Sequence, residues 1–180
     1  MSSEKTLLKL ARKYDEQALA EVYDTYSPGI YRYATRLLGD HDLAEECVAE
    51  TFSRFLIAVK RGKGPRNYLQ AYLYRVAHNW ITDQYRRGPA PTVELEPELH
   101  TNPGLEPEQA FKVNAEQEEI RAALQKLTPD QRQVIVLKYM QGWRNREIAK
   151  SMQKPVGAIK ALQHRAIVAL RRHLMTSEEV

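Results

Sequence analysis

Along the segment QALAEVYDTYSPGIYRYATRLLGDHDLAEECVAETFSRFLIAV, residues 17–59, apolar side chains recur every three or four positions. That is the period of an α-helix with one buried face, and strand-like alternation is almost absent from this half of the chain. The pattern predicts helices near 5–13, 16–38, 42–60 and 66–86. Breaks are expected at Ser27-Pro28-Gly29, where a bend would serve as well, at Gly39-Asp40, and at Gly62-Lys63-Gly64-Pro65. No internal repeat is present.

The periodicity then stops. From Gly88 to Glu108 the chain reads GPAPTVELEPELHTNPGLEPE, with five of the nine prolines and no Lys or Arg, as expected of an extended linker. A helical pattern resumes from Val113 to Leu127. The next helix carries a clear start signal: Thr128 to cap, Pro129 at the first helical position and Gln131 to close a capping box. Gly142 ends it, Asn145 to Met152 form a short helix, Gln153-Lys154-Pro155 a turn, and Val156 to about Leu174 a long last helix. The fold class expected is therefore all-α: two small helical domains, residues 1–88 and 113–180, joined by an acidic Pro-rich linker at 89–112, the second domain containing a helix-turn-helix.

Length and composition fit that picture. A chain of 180 residues, 43% hydrophobic and 28% charged, can bury one medium core or two small ones. No apolar run approaches the roughly 18 residues of a membrane span, and MSSEKTLLKLARKYDE lacks the apolar centre of a signal peptide, so a cytoplasmic location is expected. A single cysteine, Cys47, excludes an internal disulfide, and on an apolar helix face it is expected in the core. With five scattered histidines, neither metal nor other cofactor is expected.

Charge changes the picture more than composition does. Residues 1–87 carry 14 Lys/Arg against 11 Asp/Glu, residues 88–109 none against five, and residues 110–180 carry 13 against seven. Two basic blocks around an acidic bridge point to two nucleic-acid-facing modules on a connector. In the second block, Val156, Ile159, Leu162, Ala166, Ile167, Leu170 and Leu174 make one apolar stripe, expected to pack on Ile148, Ala149 and Met152. Nine Lys/Arg and one acid, Glu147, fall between Lys138 and Arg172. A helix, a tight turn and a second helix with a basic face can place that second helix in a major groove. Ala158, Lys160 and Ala161, with His164 and Arg165 a turn later, are the candidates to reach base edges. Arg144, Arg146, Lys150 and Lys154 suit phosphates, which add salt-dependent affinity without sequence choice.

The first block carries two contrasting surfaces. Asp40, Asp42, Glu45, Glu46 and Glu50 fall between Leu37 and Ser53 with no Lys or Arg among them, a face that repels DNA and invites a basic protein. Between Lys60 and Arg87 the sign reverses: Lys60, Arg61, Lys63, Arg66, Arg75, Arg86 and Arg87 stand against Asp83 alone, interleaved with Tyr68, Tyr72, Tyr74, Trp80 and Tyr85. Cations along a backbone and rings on which bases stack are what an unpaired strand needs, although about half of these rings are expected in the core. The loop from Gly62 to Pro65 is suited to holding a flipped base, and equally readable as a connector. The helix-turn-helix by itself fits a polymerase specificity subunit, a response-regulator output domain or a standalone helix-turn-helix regulator with an N-terminal sensing domain.

Three stretches carry a family resemblance over nearly the whole chain. LAEECVAETFSRFL resembles the core-polymerase-binding run of bacterial RNA polymerase sigma factors of the extracytoplasmic-function type; AYLYRVAHNWITDQYRR is similar to their minus-ten-reading helix; LTPDQRQVIVLKYMQGWRNREIAKSMQKPVGAIKALQHRAIVALRRHL is similar to their minus-thirty-five-reading domain. The resemblance implies a non-enzymatic initiation factor whose partners are core polymerase, through its beta-prime clamp helices and beta flap, promoter DNA and an anti-sigma factor. It implies that Glu45, Glu46, Glu50 and Phe52 dock on the clamp helices. Arg61, Lys63, Arg66, Tyr72, Arg75, His78, Asn79, Arg86 and Arg87 would engage the minus-ten element. Arg144, Arg146, Lys154, Ala158, Lys160, Ala161, His164 and Arg165 would engage the minus-thirty-five element. The chain departs from the family at Cys47 and Ala49 in the docking run, at Arg144 where a helix-capping Ser is common, and at Leu162-Gln163 in place of a frequent Arg-Leu pair. The last two alter the entry and register of the reading helix.

Overall fold

A computed structural model of the protein describes residues 3–88 and 107–177. The helices are α1 (Glu4–Ala11), α2 (Glu16–Leu38), α3 (His41–Lys60), α4 (Leu69–Arg87), α5 (Pro107–Gln125), α6 (Pro129–Ile135), α7 (Asn145–Met152) and α8 (Val156–Ser177), with α6 running on into a π-helical turn at Val136–Met140. No strand occurs among the described residues. The acidic segment 89–106, read as the linker, lies outside them, and helix α5 begins at Pro107, six residues before the expected Val113.

Local chemistry explains the boundaries. Asp15 and Asp40 each accept a main-chain N–H three residues on, from Ala18 and Leu43 at 2.9 Å, so α2 and α3 start on side-chain caps. Gly39 ends α2 in the left-handed region at φ 67°, which costs glycine least. Thr128 and Gln131 form the expected capping box. Tyr68, the residue before α4, has φ 53° and no capping side-chain bond; Glu4 of α1 substitutes by accepting the Leu69 N–H at 3.2 Å. A carboxylate there also meets the positive end of the helix dipole.

Tertiary packing settles how the chain passes Pro28, in favour of the single helix expected over 16–38. Helix α2 runs unbroken through Pro28, because Val22 on one side and Ile30 on the other are both completely buried and hold both halves on the same core. Gly29, next in sequence, leaves room for the Tyr74 hydroxyl, which would lie 2.5 Å from any added Cβ.

Tyr33, Leu37, Cys47, Phe55, Leu69, Leu73 and Ile81 fill the N-terminal core, while Val134, Leu137, Ile148, Ile159 and Ala166 fill the C-terminal one. Each fully buried aliphatic or aromatic side chain contributes roughly 1.5–3 kcal/mol, whereas a surface pair such as Glu50–Arg54 contributes about 0–1 kcal/mol. The helical stripes therefore hold the fold. Leu174 departs from its expected stripe and is 43% exposed.

The two cores are continuous with each other. Helix α4 packs on α7, and α2 on α5. The Trp143 ring lies 4.7 Å from that of Tyr74, and Ser151 Oγ donates to the Ala71 carbonyl at 3.3 Å. Arg36 donates to the Met140 carbonyl, and Arg121 to the Leu38 carbonyl at 3.4 Å. Buried Arg132 donates to the carbonyls of Leu124, Gln125 and Leu127, closing the end of α5, while its guanidinium stacks 4.0 Å from the Tyr85 ring of α4. Burial disfavours its charged form, lowering its pKa, with Tyr85 and then Tyr33 acting the other way.

Candidate nucleic-acid and polymerase interface

Three surfaces carry the candidate residues. On α3, Glu45 and Glu46 are exposed, and Glu50 sits at the rim, accepting from Arg54 at 2.7 Å. Phe52, expected on the docking surface, is instead only 6% exposed, because the period that brings Glu45 and Glu46 outward turns residue 52 toward the core. Its ring lies tilted 4.8 Å from that of Tyr23, which is 48% exposed and covers Phe52 from outside. Tyr23 lies in the middle of an amphipathic helix, and no sequence signal separated it from a core tyrosine.

On the loop before α4 and on α4 itself, Arg61, Lys63 and Arg66 are exposed and Tyr72 and Arg75 half-buried, the Arg75 guanidinium 5.7 Å from the Tyr72 ring centre. Lys63, Arg66, Tyr68, Tyr72 and Arg75 line a cleft of about 320 Å³. A planar group entering it would meet two rings and three cations, which suits an unstacked base and its phosphate. Asn79, Arg86 and Arg87 are exposed further along the helix, Arg86 lying 3.7 Å from Asp83. Of the five aromatic rings here, Tyr74 and Trp80 are core, Tyr72 and Tyr85 half-buried, and Tyr68 exposed.

His78 corrects another expectation. It is 7% exposed, with Nδ1 2.9 Å from the Tyr33 hydroxyl and Nε2 3.3 Å from Thr82 Oγ1, so in this arrangement it touches protein on both nitrogens. Burial lowers its pKa to about 4, Arg132 acting in the same direction and Asp130 in the opposite one. It is neutral at physiological pH. Cys47 is fully buried, as expected, and burial pushes its thiol up to about 12, which leaves almost no thiolate.

On the helix-turn-helix, Lys160, His164 and Arg165 are exposed, and Ala158 and Ala161 lie half-buried beside them. Arg144 and Arg146 are exposed at the start of α7, and Lys154 bonds Asp130 across 3.3 Å. Arg144 has no acceptor to cap α7, so only the reciprocal bond forms, from its own N–H to Glu147 at 2.6 Å. The start of α7 is tied instead to α8: Gln163 Nε2 donates to Asn145 Oδ1 at 2.9 Å, and the Asn145 amide faces Gln163 Oε1 at 3.5 Å. Among the described residues no group of His, Cys, Asp and Glu could hold a metal ion, and no helix is long and apolar enough to cross a membrane.

Residues 22–88 match Sigma-70 region 2 and residues 117–170 match Sigma-70 region 4. The ECF RNA polymerase sigma factor SigW of Bacillus subtilis is 31% identical over 181 residues, covering 94% of this chain and 96% of that protein. The chain is an ECF RNA polymerase sigma factor. ECF sigma factor BldN of Streptomyces coelicolor is 29% identical over 175 residues, 93% of this chain but 64% of that relative's length. Among solved structures, CnrH in complex with the cytosolic domain of CnrY shares the fold, with a TM-score of 0.72 at 19% identity over 97% of this chain and 99% of that one. For this sigma factor, sequence patterns gave no sign of Tyr23 or of the Arg132 pin, because both side chains act through tertiary contacts.

Proposed function

We propose that this sigma factor docks on core RNA polymerase through Glu45, Glu46 and Glu50 of α3 with Tyr23 beside them, and carries two promoter readers. The observation that carries this reading is the change of sign between adjacent helices: acids exposed on α3, a ring-and-cation cleft at the start of α4. The cleft, with Arg61, Lys63, Arg66, Tyr72 and Arg75, takes an unstacked minus-ten base, while Asn79, Arg86 and Arg87 follow the strand. Lys160, His164 and Arg165, with Ala158 and Ala161, face minus-thirty-five bases; Arg144, Arg146 and Lys154 take phosphates. The N-terminal unit ends near Gly88, and the acidic segment tethers it to the second reader. Catalysis belongs to the polymerase, so the factor itself needs no reacting group and works where polymerase works, in the cytoplasm. A basic or amphipathic anti-sigma partner is the expected antagonist.

Transcription with purified core polymerase on a library of genomic promoter fragments tests the proposal. Promoter-dependent transcripts are expected with the native chain and lost with Glu46→Lys/Glu50→Lys, which reverses the docking face without touching either reader. A chain that yields no transcript from any fragment, or a double variant as active as the native factor, would overturn it.

A further inference from the structure

Much of the lining of the cleft at the start of α4 comes from the short segment that joins α3 to α4, which is held at its two ends. At the first, the Lys63 N–H donates to the Ala58 carbonyl at 2.8 Å, and Gly64 packs so closely on Val59 that an added Cβ would lie 2.9 Å from its side chain. At the second, Tyr68 stands in the left-handed region at φ 53° and ψ 52°, costly for a residue with a Cβ, and gives α4 no side-chain cap. The acceptor comes from α1. Glu4 Oε1 takes the Leu69 N–H at 3.2 Å, while its Oε2 takes the Tyr26 hydroxyl of α2 at 3.4 Å. Burial pushes that hydroxyl up to about 12, the Glu4 charge acting in the same direction, so it stays protonated and able to donate. Leu7, Leu8 and Ala11 fix α1 on the core, and one carboxylate thus joins three helices at the residue after Tyr68. All three belong to the N-terminal module, so this hold does not depend on the contact of Lys150 with the Tyr68 ring.

We infer that Glu4 is a positioning residue for strand capture: by capping α4 from another helix it holds Tyr68 in its left-handed turn, and so sets the spacing of the Tyr68 and Tyr72 rings that an unpaired base meets. This rests on the reading of the cleft given under the proposed function. The Tyr72 N–H donates to the Tyr68 carbonyl at 3.0 Å, so both rings sit on the turn that begins at the capped N–H. Without an acceptor that N–H is an unpaired donor on a completely buried residue, Leu69, and relieving it means unwinding the first turn of α4 toward water. Tyr68 is then free to leave its strained backbone conformation for the extended region, carrying its ring away from Tyr72. Charge adds to the bond. Glu4 lies in the first turn of α1 and accepts from the first turn of α4, so a single carboxylate meets the positive ends of two helix dipoles. A neutral amide at the same position keeps an acceptor oxygen and loses only this second contribution.

Promoter opening by the full chain with core polymerase tests the inference, on a fragment that the native chain transcribes. The readout is permanganate oxidation of unpaired thymines, measured beside the binding of each variant to core polymerase. We expect Glu4→Ala to lower the ratio of opened to closed promoter about fivefold with core binding unchanged. Glu4→Gln, which keeps the acceptor, should stay within about twofold of the native chain. Tyr72→Ala removes a ring of the cleft itself and is the reference for lost strand capture. Native opening by Glu4→Ala, with Tyr72→Ala impaired, overturns the role of Glu4 and leaves the cleft a strand site. Native opening by Tyr72→Ala overturns the reading of the cleft, and the inference with it. A Glu4→Ala chain that loses core binding along with opening, or a Glu4→Gln chain as impaired as Glu4→Ala, shows a general structural role for the carboxylate and overturns the positioning.

Discussion

Helices α4 and α8 have similar lengths, 19 and 22 residues, and each sets basic side chains beside an apolar stripe. Their surroundings differ. On α8, Lys160, His164 and Arg165 face solvent, whereas α4 buries His78 and shares its N-terminal cleft with Gln153 and Lys150. Basic side chains are exposed on both, Arg86 and Arg87 on α4 as well as Lys160 and Arg165 on α8, but only α4 has His78 in the core and a wall of its cleft supplied by the second module. Packing between modules is what distinguishes the two surroundings, and substitutions at the junction should act most strongly on the α4 side.

The largest effect is expected at Trp143, 7% exposed and packed on Tyr74. Trp143→Ala should cost about 3–5 kcal/mol. Because the lost contact joins the modules, calorimetry should show one cooperative transition resolving into two, the C-terminal one at lower temperature. A single unshifted transition would mean that the junction adds nothing to stability.

Next is the pH response of the α4 side. His78 is held near pKa 4, below its ordinary value of 6.5, chiefly by burial. Between those values the unfolded chain binds more protons than the folded one. The stability tied to neutral His78 is complete above pH 6.5 and is lost as pH falls toward 4, by about 3 kcal/mol. The groups around it are Tyr33 on α2, Thr82 on α4, and Asp130 and Arg132 on α6. His78→Phe should flatten the melting temperature across that interval, and an unchanged slope would assign the pH response to other groups.

The contrast between the helices also marks where sequence reading stops. Periodicity placed the helices of the N-terminal half because each keeps an apolar stripe, whereas α5 buries little beyond Ala123 and Leu124 and starts six residues before the expected Val113; the capping box at Thr128 was visible in four residues. The junction was not, since Tyr74, Ala71 and Trp143 satisfy the same pattern whether their partners lie in one module or two. The helix expected over 16–38 is found with those bounds, running through Pro28 with Val22 and Ile30 buried on either side of it. Phe52 and His78 were placed outward by family motif, but helical phase set each inward.

A smaller effect is expected on the α8 side, at the Asn145–Gln163 amide pair that ties the start of α7 to the reading helix. Loss of either amide should weaken minus-thirty-five duplex binding by about 1 kcal/mol, and Asn145→Ala with Gln163→Ala should cost little more than one change alone. Fully additive losses in the duplex titration would show that the two amides act separately.

The smallest expected change in stability, and the one that tests both sides at once, is at Lys154. Its ammonium lies 3.3 Å from Asp130, both side chains well exposed, so the pair is screened and contributes about 0–1 kcal/mol. Asp130→Asn should scarcely move the melting temperature. It should nevertheless free a cation proposed to contact phosphate, steepening the dependence of duplex affinity on salt by about one counterion. Because Asp130 also favours the charged form of His78, the same substitution should carry the midpoint of the pH response further down. A steeper salt slope without that acid shift would confine the influence of Asp130 to Lys154; both together would show that one carboxylate acts on both sides of the junction.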